Sequence, residues 1–319
     1  MTLVTGATGF IGSHLAEALV ARGEPVRALV RRSSSTRYLP PVDVCGGDLA
    51  SGDGLGVALA GVSTVIHVAG VTKALRRQDY HLGNVMATQT LVRAAAGRGI
   101  RFVHVSSLAA VGPSEPGQPL TEDAAAQPFT HYGRSKLEAE QAVRRQMPEA
   151  TIIRPPVVYG PRDTGVLEVL KPISRGWALE IAGGERWFSA IYVKDLVAGL
   201  IAAAESPAAR GRTYFLAHPK PVSWSELREA AAGILGRRVR VLRVPVPLAR
   251  TVGLCAEAWA RVTRKPGILS REKVAEAICP AWTCNPSRAA TELGFAARTA
   301  LADGLAETLV WYKEAGWIR

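Results

Sequence analysis

Two residues four positions apart, in Tyr132-Gly133-Arg134-Ser135-Lys136, carry side chains that could move a proton together. On a helix that spacing puts both on one face, a turn apart. A tyrosine of ordinary pKa, about 10, is rarely ionised at neutral pH. A neighbouring ammonium favours the phenolate, so the lysine is what makes the tyrosine usable as a proton donor and acceptor. A hydroxyl that holds a substrate oxygen would complete the set, and Val105-Ser106-Ser107 offers two.

A second feature handles charge. Thr5-Gly6-Ala7-Thr8-Gly9-Phe10-Ile11-Gly12 follows an apolar run and opens a helical pattern at Ser13, His14 and Leu15. A strand, a glycine turn and a helix start bring free backbone N–H groups and the positive helix end close to a pyrophosphate. Gly6, Thr8, Gly9, Phe10, Ile11 and Gly12 are therefore candidate dinucleotide contacts. A site that prefers NAD would place an acid after the second strand. Here Val26-Arg27-Ala28-Leu29-Val30 leads into Arg31 and Arg32, guanidinium groups suited to a 2′-phosphate. NADP(H) is favoured, with NAD(H) as the alternative.

These groups need a sheet to hold them. Apolar, β-branched runs at 2–4, 26–30, 42–45, 64–68, 101–105 and 151–154 alternate with helical patterns, which predicts a doubly wound parallel α/β sheet. Leu137, Ala139 and Val143 predict a helix over 132–146, closed by Pro148. Beyond Arg154 the prolines at 155, 156, 161 and 172 mark turns, and a helix over 194–205 and a strand over 213–216 rejoin the sheet. Helices follow at 223–235, 246–262, 286–293 and 301–313. The expected organisation is a dinucleotide-binding Rossmann domain over 1–165, rejoined by about 187–217. A smaller, mostly helical substrate lobe comprises 166–186 and 218–319.

The glycine turn with its Gly-x-x-Gly-x-x-Gly spacing, together with Tyr-x-x-x-Lys, resembles the extended short-chain dehydrogenase/reductase family. The matching branch is the epimerase/dehydratase-like one, similar to 3β-hydroxysteroid dehydrogenase and dihydroflavonol reductase types. Arg154-Pro155-Pro156-Val157-Val158-Tyr159-Gly160-Pro161 and Ile191-Tyr192-Val193-Lys194-Asp195-Leu196 match further landmarks, as does the end of the chain from Trp282 to Phe295. The resemblance implies a catalytic trio of Tyr132, Lys136 and Ser107, with Gly112 setting the serine register and Ser106 as the alternative. It also implies cofactor contacts from Asp48, Leu49, Val68, Ala69, Gly70 and Pro155, a supporting asparagine at Asn84, and a homodimer through the fourth and fifth helices.

Two departures bear on the reaction. Leu108 and Ala109 stand where sugar dehydratases carry an acid pair, and Val157 stands where many nucleotide-sugar enzymes carry asparagine. An NADP(H)-dependent oxidoreductase acting on a carbonyl or secondary alcohol of a small, largely apolar substrate is the expectation. Trp187 and Val157 are candidate substrate contacts. The alternatives are an NAD-dependent nucleotide-sugar epimerase and a non-catalytic NADP-sensing regulator, which intact Tyr132 and Lys136 disfavour.

Composition narrows the partners. The chain has 319 residues, 48% hydrophobic and 21% charged, with a formal charge of +12. Its arginines are scattered without a base-stacking aromatic stripe, so nucleic acid is not an expected partner. No apolar run is long enough to span a membrane. The segment 246–262 predicts an amphipathic helix that seals a pocket or meets a partner subunit, with peripheral membrane contact left open. Met1 runs straight into the first strand without a leader pattern, which predicts a cytoplasmic protein. Cys45, Cys255, Cys279 and Cys284 are expected to be reduced and structural, and no metal site is expected.

Overall fold

The computed structural model describes residues 1–263 and 270–318. Six strands form first: β1 (Thr2–Thr5), β2 (Val26–Val30), β3 (Asp43–Gly46), β4 (Thr64–His67), β5 (Arg101–Val105) and β6 (Thr151–Arg154). Their order is β3-β2-β1-β4-β5-β6, with Thr213–Phe215 added beyond β6, and every pairing is parallel. Parallel strands need crossovers, and the helices that supply them bury both faces of the sheet. Side chains alternate accordingly. Val4, Ile66, Val103 and Ile153 pack with the helices Phe10–Ala21 and Val193–Glu205. Leu3, Val65 and Phe102 face the other way, against Leu91 and Val143 of the helices Ala87–Ala95 and His131–Gln146.

Strand order reverses between β1 and β4, so the chain leaves these strands in opposite directions and opens a crevice at their carboxyl ends. Gly6, Val68, Ser106 and Pro155 each follow the last residue of β1, β4, β5 and β6 and so share that edge. A third apolar cluster gathers Tyr159, Leu170, Ile173, Phe188 and Tyr192 with Leu227, Leu305, Leu309 and Tyr312. Phe10 and Ile11 of the glycine turn also pack on it.

Several elements differ from the sequence expectation. Pro172 does not mark a turn; it lies inside the helix Leu167–Ser174, where burial of Leu170 and Ile173 holds the segment. A parallel ribbon pairs Trp177–Ile181 with Arg240–Val244, and a charged helix covers Arg271–Ile278. The helix expected over 246–262 spans Val246–Thr263. All four cysteines are free, but Cys255 is exposed on that helix and holds no structure in place. No helix among the described residues is long and apolar enough to cross a membrane, and those residues contain no cluster suited to a metal ion.

Candidate active site

The glycine turn is built by close approach. Gly6 has φ +73°, and a Cβ there would lie 2.7 Å from the Ala69 nitrogen, so the turn sits directly against the segment after β4. A Cβ on Gly12 would fall 2.1 Å from the Gly6 carbonyl oxygen. The helix Phe10–Ala21 therefore begins tight under the turn. Gly9 is its N-cap and offers no side-chain acceptor, which leaves the first-turn N–H groups free for an anion. Thr8, Gly9, Phe10 and Ile11 are accessible, whereas Gly12 is buried. This cradle fits the pyrophosphate of a nicotinamide dinucleotide.

Arg31 and Arg32 follow β2 and are exposed, and neither forms an ion pair among the described residues. Asp48 lies past the end of β3, where its Oδ1 accepts the Ala50 N–H at 2.8 Å; Leu49 packs on the second core cluster. Val68, Ala69 and Gly70 run beside the glycine turn. Asn84 fixes the residue that follows them, since its Oδ1 accepts the Val71 N–H at 2.6 Å and its Nδ2 donates to the Val71 carbonyl at 3.0 Å. The same amide donates to Ser135 Oγ at 2.9 Å, which ties this segment to the helix of Tyr132 and Lys136.

That helix starts at Thr130, whose hydroxyl accepts the Gly133 N–H at 3.0 Å. Gly133 is needed for a second reason. A Cβ there would meet the Ala109 carbonyl oxygen at 2.2 Å, so only glycine lets the helix abut the short turn Leu108–Ala110 that Ser107 caps. The contact brings Ser107 to Tyr132. Ser107 Oγ accepts the Ala109 N–H at 3.2 Å, and its hydroxyl favours the phenolate form of Tyr132. Ser106 instead is buried, and its Oγ has no partner among the described residues. Pro155 closes the floor, its carbonyl accepting the Leu108 N–H at 2.9 Å.

Burial pushes Tyr132 up to about 12, and the neighbouring Ser107 hydroxyl pulls it back toward the phenolate; Glu276 and Tyr80 raise it further. Lys136 lies one helical turn further on. Its ammonium donates to the Val105 carbonyl at 2.8 Å, and burial brings it down to about 8, against a pull upward from Glu140. Beneath them, His67 is bonded to Thr5 and Thr88 and is held neutral by burial, near 3.

A cavity of about 390 Å³ opens on Tyr132. Its walls were only partly legible in the sequence. Phe129 to Tyr132 line one side, 72–76 and Tyr80 a second, and Glu257, Ala260, 270–273, Ala275 and Glu276 a third. The Tyr80 and Tyr132 ring centroids are 6.2 Å apart, and Tyr80 Oη accepts the Ala74 N–H at 3.1 Å. Glu272 accepts the His131 N–H at 2.9 Å, docking the lobe on the first residue of the Tyr132 helix. Lys73, Arg76, Arg271, Glu272, Lys273 and Glu276 give the cavity a charged rim. Trp187 and Val157 do not line it: each lies in a short strand pairing outside the central sheet, Trp187 with Ser223 and Ala281, Val157 with Ala190.

A serine beside a tyrosine, a lysine one turn on and a pyrophosphate cradle together suit hydride transfer at a carbonyl or carbinol carbon. Residues 2–217 match the NAD dependent epimerase/dehydratase family. A ceramide reductase from Caulobacter vibrioides is 33% identical over 317 residues, covering 99% of this chain and 95% of the relative. A 4-hydroxy-2-methyl-3-oxo-4-farnesyl-3,4-dihydroquinoline-1-oxide ketoreductase from Stigmatella aurantiaca is 30% identical, covering 95% of this chain and 94% of its own length. The crystal structure of gox2253 matches with a TM-score of 0.82 at 28% identity, over 100% of this chain and 99% of that one. The chain belongs to the NAD dependent epimerase/dehydratase family and is an NAD(P)-dependent enzyme of the extended short-chain dehydrogenase/reductase type.

Proposed function

We propose that the protein is an NADP(H)-dependent reductase of a ketone carried by an amphipathic lipid. The observation that carries this reading is the cavity that opens on Tyr132, whose hydroxyl Ser107 draws toward the phenolate, with a charged rim for a polar head. Ser107 would hold the substrate oxygen, and Tyr132 would give it a proton as the carbonyl carbon takes a hydride. The bound nicotinamide supplies that hydride. Lys136 would release Val105 to hold the nicotinamide ribose, and Gly6 to Gly12, Val68 to Gly70 and Pro155 would seat the dinucleotide. Arg31 and Arg32 favour the 2′-phosphate form. The names of the two relatives support the lipid class, since ceramides and farnesylated ketones are both amphipathic.

The test is turnover of long-chain ketoamide and prenylated ketones with NADPH, followed at the nicotinamide absorbance band, beside UDP-sugars with NAD. Tyr132→Phe should abolish reduction and leave dinucleotide affinity within a few fold. Equal loss of both would make Tyr132 a structural residue. Inversion of a UDP-sugar without net change in nicotinamide absorbance would replace the reductase by an epimerase.

A further inference from the structure

The outer face of the helix Val246–Thr263 is apolar and not covered by any of the described residues. Leu248, Val252, Cys255, Trp259 and Val262 follow one another at spacings of four, three, four and three, which keeps them on one side of the helix. All five are exposed, Trp259 at 70% and Val262 at 76%. The opposite side is packed: Ala249, Gly253 and Ala260 are buried, and a Cβ on Gly253 would lie 2.8 Å from Val274 of the helix Arg271–Ile278. The stripe is about 21 Å long, at about 1.5 Å per residue. Just before it, Leu179 and Leu242 pair in register on the parallel ribbon, also exposed.

Charge says what covers this face. From Ala231 to Ala256 the sequence carries Arg237, Arg238, Arg240, Arg243 and Arg250 and no acidic residue. All five arginines are exposed: Arg240 and Arg243 on the ribbon, Arg250 on the helix, and Arg237 and Arg238 in the turn that leads into the ribbon. An apolar stripe beside basic side chains suits a bilayer with anionic headgroups. A protein partner or a second copy would ordinarily be met by a surface of mixed sign; here the acids of the ribbon and helix, Glu180 and Glu257, are half-buried and paired to Arg228 and Arg271, so the exposed charge of these elements is basic.

We propose that this face docks on an anionic lipid bilayer and sets the cavity beside it. The inner face of the same helix contributes Glu257 and Ala260 to the cavity wall, so the membrane would lie about one helix diameter, roughly 10 Å, from the cavity that opens on Tyr132. Only the purpose of docking, access to a lipid substrate, rests on the reductase reading. The surface is independent of it.

The experiment is co-sedimentation of the full chain, without cofactor or substrate, with phosphatidylcholine vesicles and with vesicles containing phosphatidylglycerol. Binding to the anionic vesicles should exceed binding to the neutral ones and weaken with salt. Leu248→Ser with Trp259→Ser should lower it roughly tenfold or more, and Arg238→Glu with Arg243→Glu should remove the anionic preference. Reduction of a short, water-soluble ketone by each variant should match the parent, which shows that it is folded. Failure to sediment, or equal sedimentation of parent and serine variant, overturns the proposal. A lower assembly mass of the serine variant with vesicle binding unchanged overturns it in favour of an interface between copies. Because the readout is lipid binding, a protein that binds vesicles and reduces nothing refutes only the reductase reading.

Discussion

Lys136 donates to the carbonyl of Val105, the last residue of the strand that leads into Ser107, so the lysine spans from its helix to the end of the neighbouring strand. The position is costly. Lowering a buried lysine from 10.5 to about 8 disfavours the folded state by on the order of 3 kcal/mol at neutral pH. Because the folded value is the depressed one, that cost is complete below about pH 8 and disappears as pH rises toward 10.5. Lys136→Met is therefore expected to raise the melting temperature at pH 7 and to lose that advantage near pH 10, while reduction falls by at least about a hundredfold. Thermal melts at the two pH values, beside turnover, check this; a less stable variant at pH 7 would mean that the Val105 bond outweighs desolvation.

The two adjacent serines give a paired test. Ser107→Ala should cost about 10²–10³-fold in kcat, the loss typical of one oxygen-stabilising donor. Ser106→Ala removes a buried hydroxyl with no partner among the described residues, so turnover should hold and stability should stay level or rise by about 1 kcal/mol. If Ser106→Ala inactivates and Ser107→Ala does not, the trio has been assigned to the wrong serine.

Arg31 sits one residue past β2, exposed and without an ion pair among the described residues. Arg31→Ala should weaken NADPH by about tenfold to a hundredfold, the worth of a charge-assisted hydrogen bond, and leave NADH within a few fold. Titration of both cofactors at two salt concentrations reads it, since a phosphate contact weakens as salt rises. Equal weakening of both would move the phosphate contact elsewhere.

Most of the sheet was legible because strands buried on both faces read as continuous apolar runs, and Tyr132, Lys136 and the glycine turn have fixed spacings. The cavity walls have no such signature. The helix Arg271–Ile278 buries only Val274 and half of its residues are charged, so it reads as a solvated helix, yet Glu272 and Glu276 reach the Tyr132 helix and the cavity. Trp187 and Val157 drew attention by residue type, but which side of a short strand faces a cleft depends on pairings between segments far apart in the chain. The Tyr–Lys spacing carries no sign that the ammonium donates to the Val105 carbonyl.

Arg154 and Glu140 form a two-pronged ion pair at 2.9 and 2.7 Å, both nearly excluded from water. It joins β6 to the helix four residues past Lys136, and Arg154 also donates to the Glu122 carbonyl at 3.3 Å. Glu122 in turn accepts the Phe215 N–H at 3.0 Å. Removing one partner strands the other charge in the interior, at a cost of about 3–5 kcal/mol. Arg154→Met should therefore destabilise by that amount, and restoring neutrality with Glu140→Leu as well should recover a large part of it. The double variant separates two roles of the pair. If the pair only stabilises, the recovered protein regains parental kcat; if it also aims the helix, stability returns while kcat stays low and KM is little changed. Denaturant unfolding and steady-state kinetics on the same preparations distinguish them, and we expect the second pattern, because the pair lies one turn past Lys136 on the helix that presents Tyr132 to Ser107.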